Sequence, residues 1–258
     1  MTPVLAFDIE TVPDCAGIRR LYELPDSLSD REVAEVAFQK RRAQAGHDFL
    51  PPHLHRVLVI SCVLREGAGV RVFSLGEPDC TEQEAIQRFH DGIDRYVPQL
   101  VSWNGGGFDL PVLNYRGLAR GVSASRFWDQ GEDNRDFKWN NYVSRYHSRH
   151  LDLMDVLAMY QPRNNAPLDD IARIAGFPGK LGMHGGAVWD EYCGGGIAGI
   201  RNYCETDCAN TYLLYLRFRM LRGESSEDEY RSECALLRET LGRQRESHWR
   251  EFLSRWQT

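Results

Sequence analysis

Residues 4–12, Val-Leu-Ala-Phe-Asp-Ile-Glu-Thr-Val, read as a β-strand that Pro13 ends, and two acids sit inside it. Alternate side chains of a strand share a face, so Asp8 and Glu10 point one way while Phe7 and Ile9 point the other. Two carboxylates side by side in apolar surroundings repel each other and lose hydration. A divalent cation is the usual remedy, and oxygen ligands suit magnesium or manganese. A solvent-facing acidic edge would produce the same pattern, so the Asp-x-Glu pair decides nothing alone.

The rest of the chain supplies a core for such a strand. Residues 57–64 form a continuous apolar run with β-branched members, the mark of a buried strand. Residues 66–69 are a turn, and 70–75 return as a further strand. Between the first two strands, 14–56 is charged, with a helical stretch at 29–45, and reads as an inserted arm. Thr81-Glu82-Gln83-Glu84 is a capping box opening a helix that runs to about Tyr96. Residues 99–103 are a short strand, followed by Asn104, three glycines and a helix from Phe108. Residues 121–150 predict no element. Helices are expected at 151–159, 168–175 and 200–221, with a glycine-rich loop at 180–199. Residues 224–258 carry Leu236, Leu237, Leu241, Trp249, Phe252 and Trp256 among charges, which predicts one or two amphipathic helices. These pack back on the core by default, with partner binding the lesser alternative. The order of elements implies one central sheet flanked by helices.

Composition narrows the function. Hydrophobic residues make up 42% of the 258, enough for a substantial core. No run approaches the ~20 apolar residues of a membrane span. The N-terminus reaches an acid too early for a signal peptide, so a cytoplasmic location is expected. The net charge of −6 argues against a reader of duplex sequence, which would carry a basic patch. It leaves room for an enzyme whose bound cations neutralise its acids and touch phosphate. The seven cysteines include no Cys-x-x-Cys pair, so neither a disulfide framework nor a zinc knuckle is indicated. Cys204 and Cys208, one turn apart, read as small core residues.

Two further elements carry acids. Asp109, after Asn104-Gly105-Gly106-Gly107-Phe108, falls in the first turn of a helix, where the dipole favours an acid on structural grounds alone. The three glycines permit close backbone approach or unusual dihedrals there. Tyr203 and Asp207, at i and i+4 on the long helix, share one face. A carboxylate below a phenol can ligate metal and orient a water, although an ordinary surface pair would look the same.

Taken together and in this order, the three elements resemble the DEDDy 3′–5′ exonucleases of the ribonuclease H-like fold. The nearest group is the predicted exonucleases related to the proofreading domain of family B DNA polymerases. Phe7 to Thr11 matches its first motif, Trp103-Asn104 through Phe108-Asp109 the second, and Tyr203 through Asp207 the third. Phe49-Leu50-Pro51, His55-Arg56-Val57 and Asn210-Thr211-Tyr212 fit the same subgroup, and the resemblance runs from about residue 3 to 220. Asn202 stands where the sister histidine-type group has its histidine. His184 in Met183-His184-Gly185-Gly186 departs from the subgroup, which favours an acid and a polar residue there.

The resemblance implies a mixed α/β domain over 1–222, with 14–56 as an arm and 223–258 as a helical extension. It implies two Mg2+ or Mn2+ ions, the first held by Asp8, Glu10 and Asp207. Asp8 would also touch the second ion, with Asp109 contributing directly or through water. Tyr203 would position the attacking water, Thr11 and Asn104 would contact substrate near the 3′ end, and Phe108 would pack near the terminal nucleotide. The implied reaction releases nucleoside 5′-monophosphates from the 3′ end of single-stranded DNA. RNA trimming, a binding module without catalysis, and a scaffold acting through the C-terminal helices are the alternatives. The cations Arg116, Arg120, Arg126, Lys138, Arg145 and Arg149 alternate with Trp128, Phe137, Trp139, Tyr142 and Tyr146. That mixture suits backbone contact and base stacking, or equally a solvated loop over core aromatics. His147 and His150 read as structural, and Asp152 and Asp155 as rival acids, with Asp152 expected to support the site.

Overall fold

The computed structural model describes residues 2–257. Its centre is a five-stranded sheet: β1 (Val4–Pro13), β2 (His55–Glu66), β3 (Gly69–Gly76), β4 (Gln99–Ser102) and β5 (His150–Asp152), in the order β3-β2-β1-β4-β5. β1 pairs antiparallel with β2 and parallel with β4, and β4 pairs parallel with β5. β2 borders β1 along its whole length and β4 borders it only at Val4–Ala6, so it is burial that excludes the wet acidic edge: Glu10 is 8% exposed and Asp8 is half-buried. Between β1 and β2 lie α1 (Cys15–Leu21) and α2 (Asp30–Ala45), the latter opened by a capping box on Ser29. α3 (Glu82–Tyr96) follows β3, capped by Thr81 as its sequence predicted.

α4 (Asp109–Arg120) follows β4, and the poorly patterned stretch after it contains only α5 (Ser125–Trp128) and a 3₁₀ turn at Arg135–Lys138. The expected helix over 151–159 is in fact β5 followed by α6 (Leu153–Leu157). A three-residue strand is too short to show a period of two, and its one apolar residue, Leu151, fits either element. α7 (Leu168–Ile174) and α8 (Val188–Cys193) precede the long α9 (Ile197–Leu221). α10 (Glu227–Gly242) and α11 (Ser247–Arg255) end the chain.

The alternation of β1 splits its side chains between two cores. Leu5, Phe7 and Ile9 pack with α3 and α4, through Ile86, Phe89 and Leu113. Val4 and Ala6 face α9, through Cys208, Ala209 and Tyr212. Asp8 and Glu10 continue that second face, so they are directed towards α9. The register shifts after Glu10: Glu10 faces Val59 but Thr11 faces Val57, so β2 carries Leu58 as an extra residue beside the acids.

The cations Arg116 and Arg120, weighed above as contacts to nucleic acid, are committed elsewhere. Arg116 makes two 2.7 Å bonds to Glu82 and pairs with Asp14, and Arg120 reaches Glu82 at 2.8 Å. Phe137 and Tyr142 are core residues. The C-terminal helices spend their apolar faces on their own chain. Leu237, Leu241, Trp249 and Phe252 are fully buried in the cluster that contains α9, Arg65 of β2 holds Glu233 at 2.7 Å, and His248 meets Glu205 at 3.0 Å. Trp249→Ala is expected to lower stability by about 3–5 kcal/mol, read as a lower denaturant midpoint; an unchanged midpoint would mean these helices are not docked. Among the described residues no helix is long and apolar enough to cross a membrane.

Candidate active site

The fold brings the three acidic elements together. Asp8, Glu10 and the thiol of Cys204 have donor atoms within 4.8 Å of one another. The Cys204 Sγ–H lies 3.4 Å from the Asp8 carbonyl and 3.5 Å from its Oδ2. Asp109 arrives from the start of α4, its Oδ1 accepting from the Ile9 amide at 3.2 Å, which ties it to β1 between the two acids. Asp207 arrives from α9, one turn beyond Tyr203, and its Oδ1 is buried without a hydrogen-bond partner.

The carboxylates of Asp109 and Asp207 fall outside that 4.8 Å group but are near enough to perturb it. Burial raises the Asp8 and Glu10 carboxyls well above the carboxylate range, Asp109 and Asp207 raise both further, and Asp8 adds to Glu10. Burial pushes Asp109 up to about 7, with the Asp152 carboxylate adding to it. Asp207 is raised by burial and pulled back by Lys180. Without a counter-ion, four such groups cannot all ionise cheaply near neutrality.

Lys180 is the residue that sequence reasoning missed. Its Nζ lies 3.0 Å from Asp207 Oδ2 and also donates to the Tyr203 hydroxyl oxygen. Burial alone would lower its pKa, but Asp207, Asp8 and Glu10 more than offset this and raise it, so it stays charged. It sits in a loop without periodicity, and no spacing to another motif singled it out. Cys204 was read as core packing. It is fully buried, yet its sulfur also faces two carboxylates, whereas Cys208 bonds backbone, the Ala6 carbonyl at 3.2 Å among it, and fits the core reading.

Two of the three expected substrate contacts, Thr11 and Phe108, border a cavity of about 650 Å³ whose lining also includes Glu10, Phe49, His55 and Trp189. Three rings enclose one side of it: Phe108 stands 5.3 Å from Phe49 and 5.0 Å from His55, centroid to centroid. The Thr11 hydroxyl bonds His55 Nδ1 at 2.8 Å, and His55 Nε2 faces the Leu50 carbonyl at 3.0 Å. Because a carbonyl can only accept, Nε2 carries the proton, Nδ1 accepts from Thr11, and the Thr11 oxygen keeps its lone pairs for another donor.

Asn104 does not line this cavity; it begins the loop that carries Phe108 and Asp109. Its φ is +67°, the left-handed region that asparagine tolerates. The glycines after it serve close approach rather than unusual dihedrals. A Cβ at Gly105 would come to 2.3 Å of the Ser102 hydroxyl, and one at Gly107 to 2.4 Å of Asn104 Oδ1. Asp152 supports the loop as expected, accepting from the Asn104 amide at 2.9 Å and the Gly106 amide at 2.8 Å while capping α6. His150 bonds Ser102 at 2.8 Å and His147 accepts from the Asn141 amide at 3.0 Å, both structural. His184 shows no side-chain hydrogen bond at the cap position it occupies before Gly185.

Comparison with known proteins returns one family and no curated relative. Residues 47–256 match the family described as predicted 3′–5′ exonucleases related to the exonuclease domain of PolB. The match takes in Asp109, Lys180, Tyr203 and Asp207 and continues through α10 and α11, beyond the resemblance read from the motifs. Asp8 and Glu10 precede it and are joined to it by their geometry. The mixed five-stranded sheet flanked by helices agrees with the ribonuclease H-like fold of such enzymes. This chain belongs to the family of predicted 3′–5′ exonucleases related to the exonuclease domain of PolB.

Proposed function

We propose that this chain is a DEDDy-type 3′–5′ exonuclease that removes nucleoside 5′-monophosphates from single-stranded DNA, with divalent cations held by Asp8, Glu10, Asp109 and Asp207. The observation that supports this most is the meeting of four acids from three separate elements beside a cavity of about 650 Å³. The donor set fits the group: hard oxygens, mutual repulsion with no adequate counter-charge, and an Asp207 oxygen with no partner. Bound Mg2+ or Mn2+ would supply charge neutralisation at the phosphate and a nucleophile at neutral pH.

The chain's own groups then divide the remaining tasks. Tyr203 is raised far above the ordinary phenol range by burial and the neighbouring acids, so it is a neutral hydroxyl that orients a water rather than a base. Lys180 donates to its oxygen, and the phenol's own proton is turned to the Asp207 carboxylate, which fixes the hydroxyl beside the acids. Thr11 presents an acceptor to a free 3′-hydroxyl, and the Phe49–Phe108 pair offers faces to an unpaired base. All these residues lie within 1–222; α10 and α11 brace α9 from behind.

Lys180→Ala is expected to lower kcat by roughly 10–100-fold, the effect of losing a partner that orients the site's own groups. An unchanged kcat would remove it from the account. The whole reading is tested with 5′-labelled single- and double-stranded DNA and matched RNA, with Mg2+ or Mn2+. A ladder shortening from the 3′ end of single-stranded DNA is expected. Internal cleavage, or no cleavage with any cation, contradicts it.

A further inference from the structure

The loop from Asn104 to Phe108 has a second side. On one side Phe108 borders the cavity that contains Glu10. On the other, Gly106 borders a separate cavity of about 310 Å³, whose lining includes Arg145, Tyr146, Asp152, Tyr160 and Arg222. Two residues of one loop thus separate the two spaces, and the exposed surface of that loop, at Gly106 and Gly107, has no side chain to obstruct a strand.

The second cavity carries aromatic rings in an unusual position for a packed protein. Tyr146 is 83% exposed and Tyr160 40%, with ring centroids 6.5 Å apart. The Arg145 guanidinium lies 4.9 Å from the Tyr160 ring centroid and 6.0 Å from that of Tyr146. Tyr160 and the preceding Met159 both have positive φ, +57° and +52°. Two adjacent residues in that region store backbone strain, and such strain collects at functional surfaces. The local acids are already engaged: Asp152 by backbone amides and Asp155 by Arg145 at 3.6 Å. Glu224 likewise pairs with Arg222, at 2.8 Å. Both ion pairs are solvent-exposed, and exposed pairs contribute little, so phosphates can displace these carboxylates while the ring faces away from Arg145 receive bases.

We propose that this surface is a platform for the single strand upstream of the scissile bond. Bases stack on Tyr146 and Tyr160, phosphates meet Arg145 and Arg222, and the strand crosses the bare backbone at Gly106 before its last nucleotide enters the cavity beside Glu10. Exposed aromatics interleaved with cations are the general means of holding single strands without reading sequence. The platform rests on the exonuclease reading and adds a length dependence that the carboxylates alone do not require.

The test uses the full chain in two arms that are read separately. In chelator, where hydrolysis is blocked, fluorescence anisotropy measures binding of oligothymidylates of about three and about twelve nucleotides, spanning the sizes single-strand sites cover. The wild type should bind the longer one more tightly. Tyr146→Ala combined with Tyr160→Ala should weaken the longer by about tenfold or more and leave the shorter unchanged, while Tyr146→Phe with Tyr160→Phe should keep the wild-type affinity. With Mg2+, the double alanine variant should hydrolyse the short oligonucleotide at the wild-type kcat. Equal wild-type affinity for both lengths, or a double alanine variant that binds as the wild type does, overturns the platform and leaves these rings to a protein partner. Absence of wild-type hydrolysis in the second arm sinks the exonuclease reading instead, and does so independently of the first arm.

Discussion

Asp8→Ala is expected to lower kcat on oligonucleotide 3′ ends on the order of 10³-fold or more, because the several kcal/mol that bound cations contribute would be lost with the ligand. Asp8 lies at the centre of the arrangement. It neighbours Glu10 on the same face of β1, shares electrostatic contact with Asp109 and Asp207, and meets Cys204 on α9. Misfolding could also abolish activity, so stability must be measured alongside. Here the expected sign is unusual: in chelator at pH 8, Asp8→Asn should unfold at a higher temperature than the wild type. The substitution removes one of four clustered, mutually repelling acids, and sites built for function commonly sacrifice stability in this way. Loss of activity with a lower unfolding temperature would mean that Asp8 serves the fold. Wild-type activity in the variant would mean that the carboxylates of β1 are not the site.

The second large effect is a dependence of metal-free stability on pH. The folded-state pKa of Asp8, Glu10, Asp109 and Asp207 is raised in each case, chiefly by burial, to about 7 for Asp109. A raised carboxyl binds more protons folded than unfolded between its two pKa values, so stability falls as pH rises through that window. For Asp109 the contribution is fully present below the unfolded carboxyl value near ~4 and is lost as pH passes about 7; Asp8, Glu10 and Asp207, raised as well, act in the same direction. Chelated protein should therefore lose unfolding temperature steadily from pH 5 to pH 8 (roughly the span of these shifts). Mn2+ should restore it most at the high end, since an ion that binds only the folded, ionised site stabilises by mass action. A flat profile, or one that rises with pH, would mean that the four acids are not gathered as described.

These effects could be foreseen only where the chain's local pattern coincided with its chemistry. β1 and β2 were legible because long apolar runs with β-branched residues leave few other options, and α3 because Thr81 and Glu84 cap it reciprocally. The acids were legible because each occupies a position of fixed direction: alternate residues on a strand, the first turn of α4, and one face of α9. β5 was missed since three residues carry no period, and it was absorbed into the helix that follows. Lys180 was missed for a different reason. It reaches Asp207 from an irregular loop, and that meeting depends on where tertiary packing lays residues 176–187 against α9. Arg116 shows the converse error, since a cation in a basic-looking stretch proved to be the buried partner of Asp14 and Glu82. The glycines after Asn104 were assigned to the right loop for partly the wrong reason: contact distance holds them there, and the left-handed residue is Asn104 itself.

A titration of Mn2+ into the chelator-stripped protein, followed by the electron spin resonance of the free ion, addresses the carboxylates without relying on any substrate. The wild type should remove Mn2+ from solution in a saturable way, and Asp8→Asn and Asp207→Asn should each weaken that uptake severely while Asp155→Asn, outside the cluster, should not. Uptake that survives both substitutions unchanged would show that these oxygens do not share an ion, and the catalytic account built on them would fail.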